Sequence, residues 1–351
     1  MAEFQKNISF GARFGYGVFQ FMDHFLGRRL SFTLTRPLRK RFYSQLHKKL
    51  QKGEKGRVIE IDRRTDLTME EFRTEYLLKN RPVIFEGKAK DWDCVKNWSL
   101  DFLKEQHGDD QILVVNQEDV ENTHEELTLA ELIDGINDGM ARYYRFYPLI
   151  QRHPERLLDF DFKWMQKHRH QNIKFDAFQV FVGPDKAYTP LHNANAGNLF
   201  TQVCGEKEWM LYPEYYSMIM DPNPVRSNYR TAPIRKEYGP YNPFDPEHET
   251  PYHLFEYIDR YRGVIKPGDI LYNPPYWWHA VKSYGDSIGV GYRWLPLGFN
   301  FKKSPLYSFL DMCTTRPPVW KTWKLSQIDP NLTHMAEAGK LNEYIKSKKD
   351  S

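Results

Sequence analysis

Two histidines stand among neighbours that would suit a metal. His192 ends YTPLH, after a strand-like run and a Thr-Pro pair, and His279 lies in KPGDILYNPPYWWHAV, after a Gly-Asp turn, a strand, a proline break and two tryptophans. A lone histidine among aromatics is commonly a packed core residue, so it is the pairing that points to chemistry. A barrel brings the ends of distant strands together. Two imidazoles and one carboxylate can then occupy one face of an iron ion and leave the opposite face for substrate, cosubstrate and oxygen. The HRH at 168–170, within KWMQKHRHQ, reads as the polar end of a helix rather than a metal site. The sequence carries neither a phosphate-binding glycine loop nor GxSxG.

The elements that must position such a pair surround it. Thr68, with Glu71 three residues on, predicts a capped helix over TMEEFRTEYLL, Ser99 predicts a second cap with Gly108 as its stop, and VIEID and RPVIFEG predict short strands. DQILVVN, FDAFQVFVG, NLFTQVCG, KEWMLYP, GDILYNP and DSIGVGYRW are β-branched or aromatic runs bounded by Gly, Pro, Asn or Asp, as a sandwich or barrel requires. From Phe301 the chain mixes Pro-rich turns (TTRPPVW) with helical pieces such as AEAGKLNEYIKSKK, suited to a packing appendage or a homodimer contact. No internal repeat or low-complexity tract appears.

The 351 residues, 40% apolar and 15% aromatic, can bury a substantial core. Three widely spaced cysteines, Cys94, Cys204 and Cys313, suggest no disulfide framework and point to a reducing cytoplasm. The net charge of +4 is unevenly spread. Arg28, Arg29, Arg36, Arg39, Lys40, Arg41, Lys48, Lys49, Lys52, Lys55 and Arg57 face only Glu3, Asp23 and Glu54 in residues 1–57. The apolar part of this N-terminus, VFQFMDHFL, is short, interrupted by Asp23 and His24, and followed by the basic cluster, which reads against a secretory signal. No run approaches the roughly 20 apolar residues of a membrane span. One reading lays Phe14, Val18, Phe19, Phe21, Met22 and Phe25 on a membrane or partner with the cations toward anionic head groups; the other packs these aromatics on the domain. Basic residues interleaved with aromatics come without a nucleic-acid recognition motif.

Taken in order, LTMEEFRTEYLLKNRPVIFEGKAKDW, NWSLDFLKEQHGD, TPLHNANAGNLFTQVCGEKEWMLYP, KPGDILYNPPYWWHAV and SIGVGYRW resemble the JmjC and cupin-like Fe(II)/2-oxoglutarate-dependent oxygenases, especially their asparaginyl hydroxylase branch. The resemblance covers most of residues 66–296. It implies a mainly β double-stranded β-helix, or jelly roll, with flanking helices: an N-terminal extension over 1–56, a catalytic domain over 57–300 and a helical appendage over 301–351. It further implies that His192 and His279 hold Fe(II) and that Lys207, in GEKEW, pairs with the distal carboxylate of 2-oxoglutarate, O2 being the co-reactant. Thr189 and Asn198 match polar groups lining the cosubstrate pocket. Tyr144, in ARYYRFY, matches a tyrosine that reaches it, with Tyr143 and Tyr147 as alternatives.

The departure lies two residues after His192. Where that family carries a ligand aspartate, this chain has Ala194, whose methyl group coordinates nothing. One explanation is a halogenase-like site, in which Ala194 leaves an open position for chloride and the substrate carbon receives the halogen. A second is hydroxylation or demethylation, with water or the amide oxygen of Asn193 or Asn195 as third ligand and weaker iron binding. Asp185 and Glu206 lie nearby, but strand alternation aims neither at the metal. The third is a non-catalytic binding barrel, against which the retention of His192, His279, Lys207, Thr189 and Asn198 argues. Chloride transfer to an unactivated C–H bond is the leading expectation. The substrate class stays open among a small molecule, an acyl chain and a peptide, and the place of action is cytoplasmic or peripheral at a membrane.

Overall fold

The computed structural model describes residues 3–116, 124–140, 142–173, 175–222, 229–231, 234–235, 239–245, 253–313 and 332–349. Two helices, α1 (Phe10–Leu26) and α2 (Arg28–Leu50), precede the strands. The first strands are β1 (Val58–Glu60), β2 (Arg63–Arg64), β3 (Val83–Phe85), β4 (Gln111–Asn116), β5 (His124–Thr128) and β6 (Arg142–Tyr147). There follow β7 (Asp176–Gly183), β8 (Tyr188–Ala194), β9 (Gly197–Tyr212), β10 (Tyr229–Thr231), β11 (Ile234–Arg235) and β12 (Gly239–Pro240), then β13 (Arg260–Ile265), β14 (Ile270–Asn273) and β15 (Trp278–Trp294).

Two long strands organise the barrel. NLFTQVCG and KEWMLYP, read from sequence as separate strands, are the two halves of β9, and WWHAV and DSIGVGYRW lie within β15. Both strands change direction where they cross. Gly205 takes φ +66 and lies so close to the Asp286 carbonyl that a Cβ would come within 2.3 Å of its oxygen, so the bend needs glycine. The register of β9 on β15 shifts between Tyr284 and Ile288 at this bend. The first half of β15 therefore pairs with β8, and its second half with β7, while β9 continues to β13 and β14. Opposed half-strands closing on each other make a jelly roll.

Local signals match the frame. Thr68 and Glu71 form a capping box, and the Ser99 hydroxyl accepts from the Phe102 amide at the start of the helix Leu100–His107, which ends at Gly108. Strand β7 alternates between buried and half-buried positions, with Phe178, Val180 and Val182 in the main apolar cluster. On the opposite side α1 and α2 pack on the barrel, where Ile8, Tyr16, Leu46 and Leu50 share a cluster with Tyr212, Tyr216 and Trp278. The helical pieces of the C-terminus form Leu332–Glu337 and Leu341–Lys349; TTRPPVW lies outside the described residues. Among the described residues no helix is long and apolar enough to cross a membrane.

HRH lies at the end of the helix Phe162–Lys167, with His168 as its C-cap, and its side chains are buried there. His168 stacks on Trp164 with ring centroids 3.7 Å apart, His170 accepts from Trp294 Nε1 at 3.0 Å, and Arg169 pairs with Asp176. All three are buried, and burial pushes both histidines down to about 4, which suits neutral packing residues.

Candidate active site

The register of β8 on β15 sets His192 directly opposite His279, with ring centroids 4.1 Å apart. Each ring is oriented by the backbone two residues before it. His192 Nδ1 lies 2.8 Å from the Pro190 carbonyl and His279 Nδ1 lies 3.0 Å from the Trp277 carbonyl. A carbonyl oxygen only accepts, so Nδ1 carries the proton on both rings and Nε2 is the nitrogen left to face a ligand. Trp209 stacks on His279 at 5.5 Å. Burial, helped by the Arg293 charge, pushes His279 down to about 4, so it is neutral and able to bind a metal at ordinary pH.

The approach to His279 is held under strain. Tyr276, a non-glycine residue with φ +63, donates its amide to the Ala194 carbonyl at 2.8 Å and its hydroxyl to Asp311 at 2.9 Å. The start of β15 is thereby tied to the end of β8 and to the helix Pro305–Met312.

Ala194 faces the same cavity as the two histidines, and Asn193 and Asn195 do not line it. Asn193 turns its amide nitrogen to the Tyr276 carbonyl at 3.3 Å, whereas Asn195 receives the Asn300 amide on its own carbonyl at 2.7 Å. The expectation of an asparagine oxygen as third ligand is therefore corrected: within β8 alternation turns Asn193 away from the cavity that Ala194 lines, and Asn195, in the bend after the strand, does not line it either. Glu206 faces Lys266 and Asp185 binds the Gly285 amide, both at the surface. Among the described residues no third His, Cys, Asp or Glu joins the pair as a metal cluster.

Across the cavity Lys207 is 1% exposed, and its ammonium donates to Ser283 Oγ at 2.8 Å. No carboxylate among the described residues pairs with it, and burial alone pulls it down to about 7. A buried cation without a counter-anion is a receptor for one. Its Nζ lies 5.3 Å from the centre of the Tyr143 ring. Tyr143, rather than Tyr144, thus lines the cavity beside Lys207. Tyr144 points into the main core, where it packs on Tyr147 with ring centroids 5.0 Å apart. Gly183 makes room for the Tyr143 ring, since a Cβ there would meet Cδ2 at 2.4 Å.

Thr189 and Asn198 line the cavity as expected. Asn198 Oδ1 is buried without a hydrogen-bond donor, and a Cβ at Gly291 would stand 2.9 Å from it. Two further lining residues, Asn273 and Arg293, went unassigned from sequence. Both pair in register with Asn198, so Asn273, Asn198 and Arg293 form one polar row across β14, β9 and β15. Asn273 Nδ2 lies 3.3 and 3.4 Å from the two His279 ring nitrogens, and its Oδ1 is buried without a donor. Arg293 donates to Gln179 Oε1 at 2.9 Å. Polar side chains at inward positions of apolar strands, in LYNPP and GYRW, were the available signal.

These residues fit a divalent metal with an anionic dicarboxylate: two imidazoles with Nδ1 held by backbone carbonyls, a buried ammonium lacking a carboxylate, and two orphaned amide oxygens. The model of the family described as a cupin-like domain matches residues 69–297. The chain belongs to this family. Curated relatives include lysine-specific demethylase 8 of Xenopus tropicalis, 24% identical over 65% of this chain and 51% of that protein. Others are 2-oxoglutarate and iron-dependent oxygenase JMJD4 of Gallus gallus, 25% identical over 68% and 61%, and lysine-specific demethylase JMJ30 of Arabidopsis thaliana, 23% identical over 67% and 54%. The chain spans between 51% and 61% of the length of these relatives. In this cupin-like cavity the lining residues that carry full charge, Lys207 and Arg293, are both cationic.

Proposed function

We propose that the chain is an Fe(II)- and 2-oxoglutarate-dependent oxygenase that hydroxylates a C–H bond, demethylation being the case in which that bond belongs to an N-methyl group. The observation that carries this is the buried, counter-ion-free ammonium of Lys207 in one cavity with the Nε2 faces of His192 and His279. The relatives named as oxygenase and demethylases support oxygenation over the chlorination that Ala194 by itself favours. Bound iron and 2-oxoglutarate would supply the oxidising power to break an unactivated C–H bond with O2. His192 and His279 would hold the metal, each kept in its Nδ1–H tautomer by a backbone carbonyl. Lys207, supported by Ser283, would receive a carboxylate of the cosubstrate, and Tyr143 shields that ammonium from water. Thr189 and the Asn198–Asn273 pair offer the neutral polar contacts along the same wall.

A second reading rests on a specific observation. No side-chain donor stands at Ala194, and Arg293 adds positive charge near His279, so an anion such as chloride suits the third metal position. The deciding experiment incubates the protein with Fe(II), 2-oxoglutarate, air and methyl-lysine peptides, in chloride, bromide or acetate. Succinate formation with hydroxylated or demethylated peptide in all three salts supports oxygenation. A product whose mass follows the halide supports halogen transfer. No succinate in any salt, with no 2-oxoglutarate bound, refutes both.

A further inference from the structure

The N-terminal helix pair carries apolar side chains outward as well as inward, and buries an ion pair between its helices. On α2 the buried face carries Ser31, Thr35 and Arg39, and Arg39 donates to Thr35 Oγ1 at 2.8 Å, to Ser31 Oγ at 3.2 Å and to Asp23 of α1 at 2.5 Å. The Arg39–Asp23 pair is almost wholly enclosed, with side-chain exposures of 3% and 0%. Flanking that buried face, Leu30, Leu34 and Leu38 follow one another at four-residue spacing, each more than half exposed. On α1 the stripe Phe10, Phe14, Phe21 and Phe25 recurs at helical spacing, from 82% exposed at Phe10 to 48% at Phe25. An ordinary surface helix turns its apolar stripe inward, whereas this pair buries an ion pair and leaves apolar stripes largely open.

Charge selects the occupant. Arg41 and Lys48 continue the line of the leucine stripe toward the end of α2, Arg29, Arg36 and Lys40 lie farther round the same helix, and all five are exposed. Residues 1–57 hold three acidic side chains, of which Asp23 is consumed by Arg39. We propose that α1 and α2 form an interfacial anchor that inserts its Phe and Leu stripes into an anionic lipid surface, with Arg41 and Lys48, in line with the leucines, at the head groups. The anchor is continuous with the site. Phe21 stacks on Phe309 of the helix Pro305–Met312 with ring centroids 6.3 Å apart, the Tyr16 and Tyr307 hydroxyls meet at 2.8 Å, and Asp311 of the same helix holds Tyr276. Docking would fix the orientation of the cavity relative to the membrane.

The test is co-sedimentation of the full-length protein with phosphatidylcholine vesicles containing or lacking phosphatidylserine. The expected result is binding to the phosphatidylserine vesicles alone, weakened by high salt and lowered at least about tenfold by Phe10→Glu with Phe14→Glu. Both side chains are exposed, so the variant should keep its circular dichroism and melting temperature; Leu34→Gln with Leu38→Gln gives the same test on α2 should the first variant misfold. Protein that stays in the supernatant with both vesicle types overturns the proposal. So does a dimer, seen by light scattering, that the same substitutions return to monomer without any vesicle binding.

Discussion

Replacing Lys207 with methionine should stabilise the ligand-free protein while abolishing 2-oxoglutarate binding. Burial alone brings the ammonium from 10.5 to about 7, and at about 1.4 kcal/mol per pH unit the enclosed charge costs about 5 kcal/mol when protonated. Methionine keeps the length and apolar character of the stem, and the loss of the Ser283 hydrogen bond returns about 1 kcal/mol of that. A net gain of about 2 to 4 kcal/mol is expected at about pH 6. Between about pH 7 and 10.5 the folded state binds fewer protons here than the unfolded chain. Wild-type stability therefore rises with pH across that window, and the penalty is complete only below it. The advantage of the variant should shrink as pH rises and nearly vanish at about pH 10. Urea denaturation of both proteins at several pH values, beside equilibrium dialysis of 2-oxoglutarate, measures each part. A variant less stable at every pH, or a pH-independent difference, would mean that the protein itself satisfies the ammonium.

Other substitutions probe neighbouring parts of the account. Ala194→Asp places a carboxylate beside His192 and His279 and should tighten Fe(II) at least about tenfold in a chelator competition; unchanged affinity would place residue 194 away from the metal. Gly183→Ala puts a Cβ 2.4 Å from the Tyr143 ring, and should cost about 1 to 3 kcal/mol in stability and weaken 2-oxoglutarate binding. A silent result would mean that the ring can leave Lys207 freely. Asp23→Ala strands Arg39 in an enclosed site, and should cost about 3 to 5 kcal/mol by denaturation, whereas a loss below about 1 kcal/mol would mean that water replaces the partner.

The strand runs, the two helix caps and the His192, His279 and Lys207 positions were legible because each rests on local chemistry: capping residues, turn-bounded apolar runs and a spacing shared with a family. Facing and register were less so. Tyr143 and Tyr144 differ by one residue, and a register shift between Tyr144 and Tyr147 breaks the alternation that would have told them apart. Proximity of Asn193 and Asn195 to Ala194 in sequence says nothing of side-chain direction, which is why the sequence leaves both open as ligands. Asn273 and Arg293 became visible only through their pairing with Asn198, a relation between strands distant in sequence. The aromatic, basic N-terminus announced an amphipathic segment, but not that Arg39 and Asp23 would be inside and Leu34 outside.

The central claim is that His192, His279 and Lys207 form one working metal and cosubstrate site without a protein carboxylate. Anaerobic titration of the protein with Fe(II) and 2-oxoglutarate, followed by visible absorption and repeated with and without chloride, tests it most directly. The account predicts a charge-transfer band that saturates with both components and is lost in His279→Ala and Lys207→Met. No band at any iron concentration, or a band indifferent to both substitutions, would contradict it.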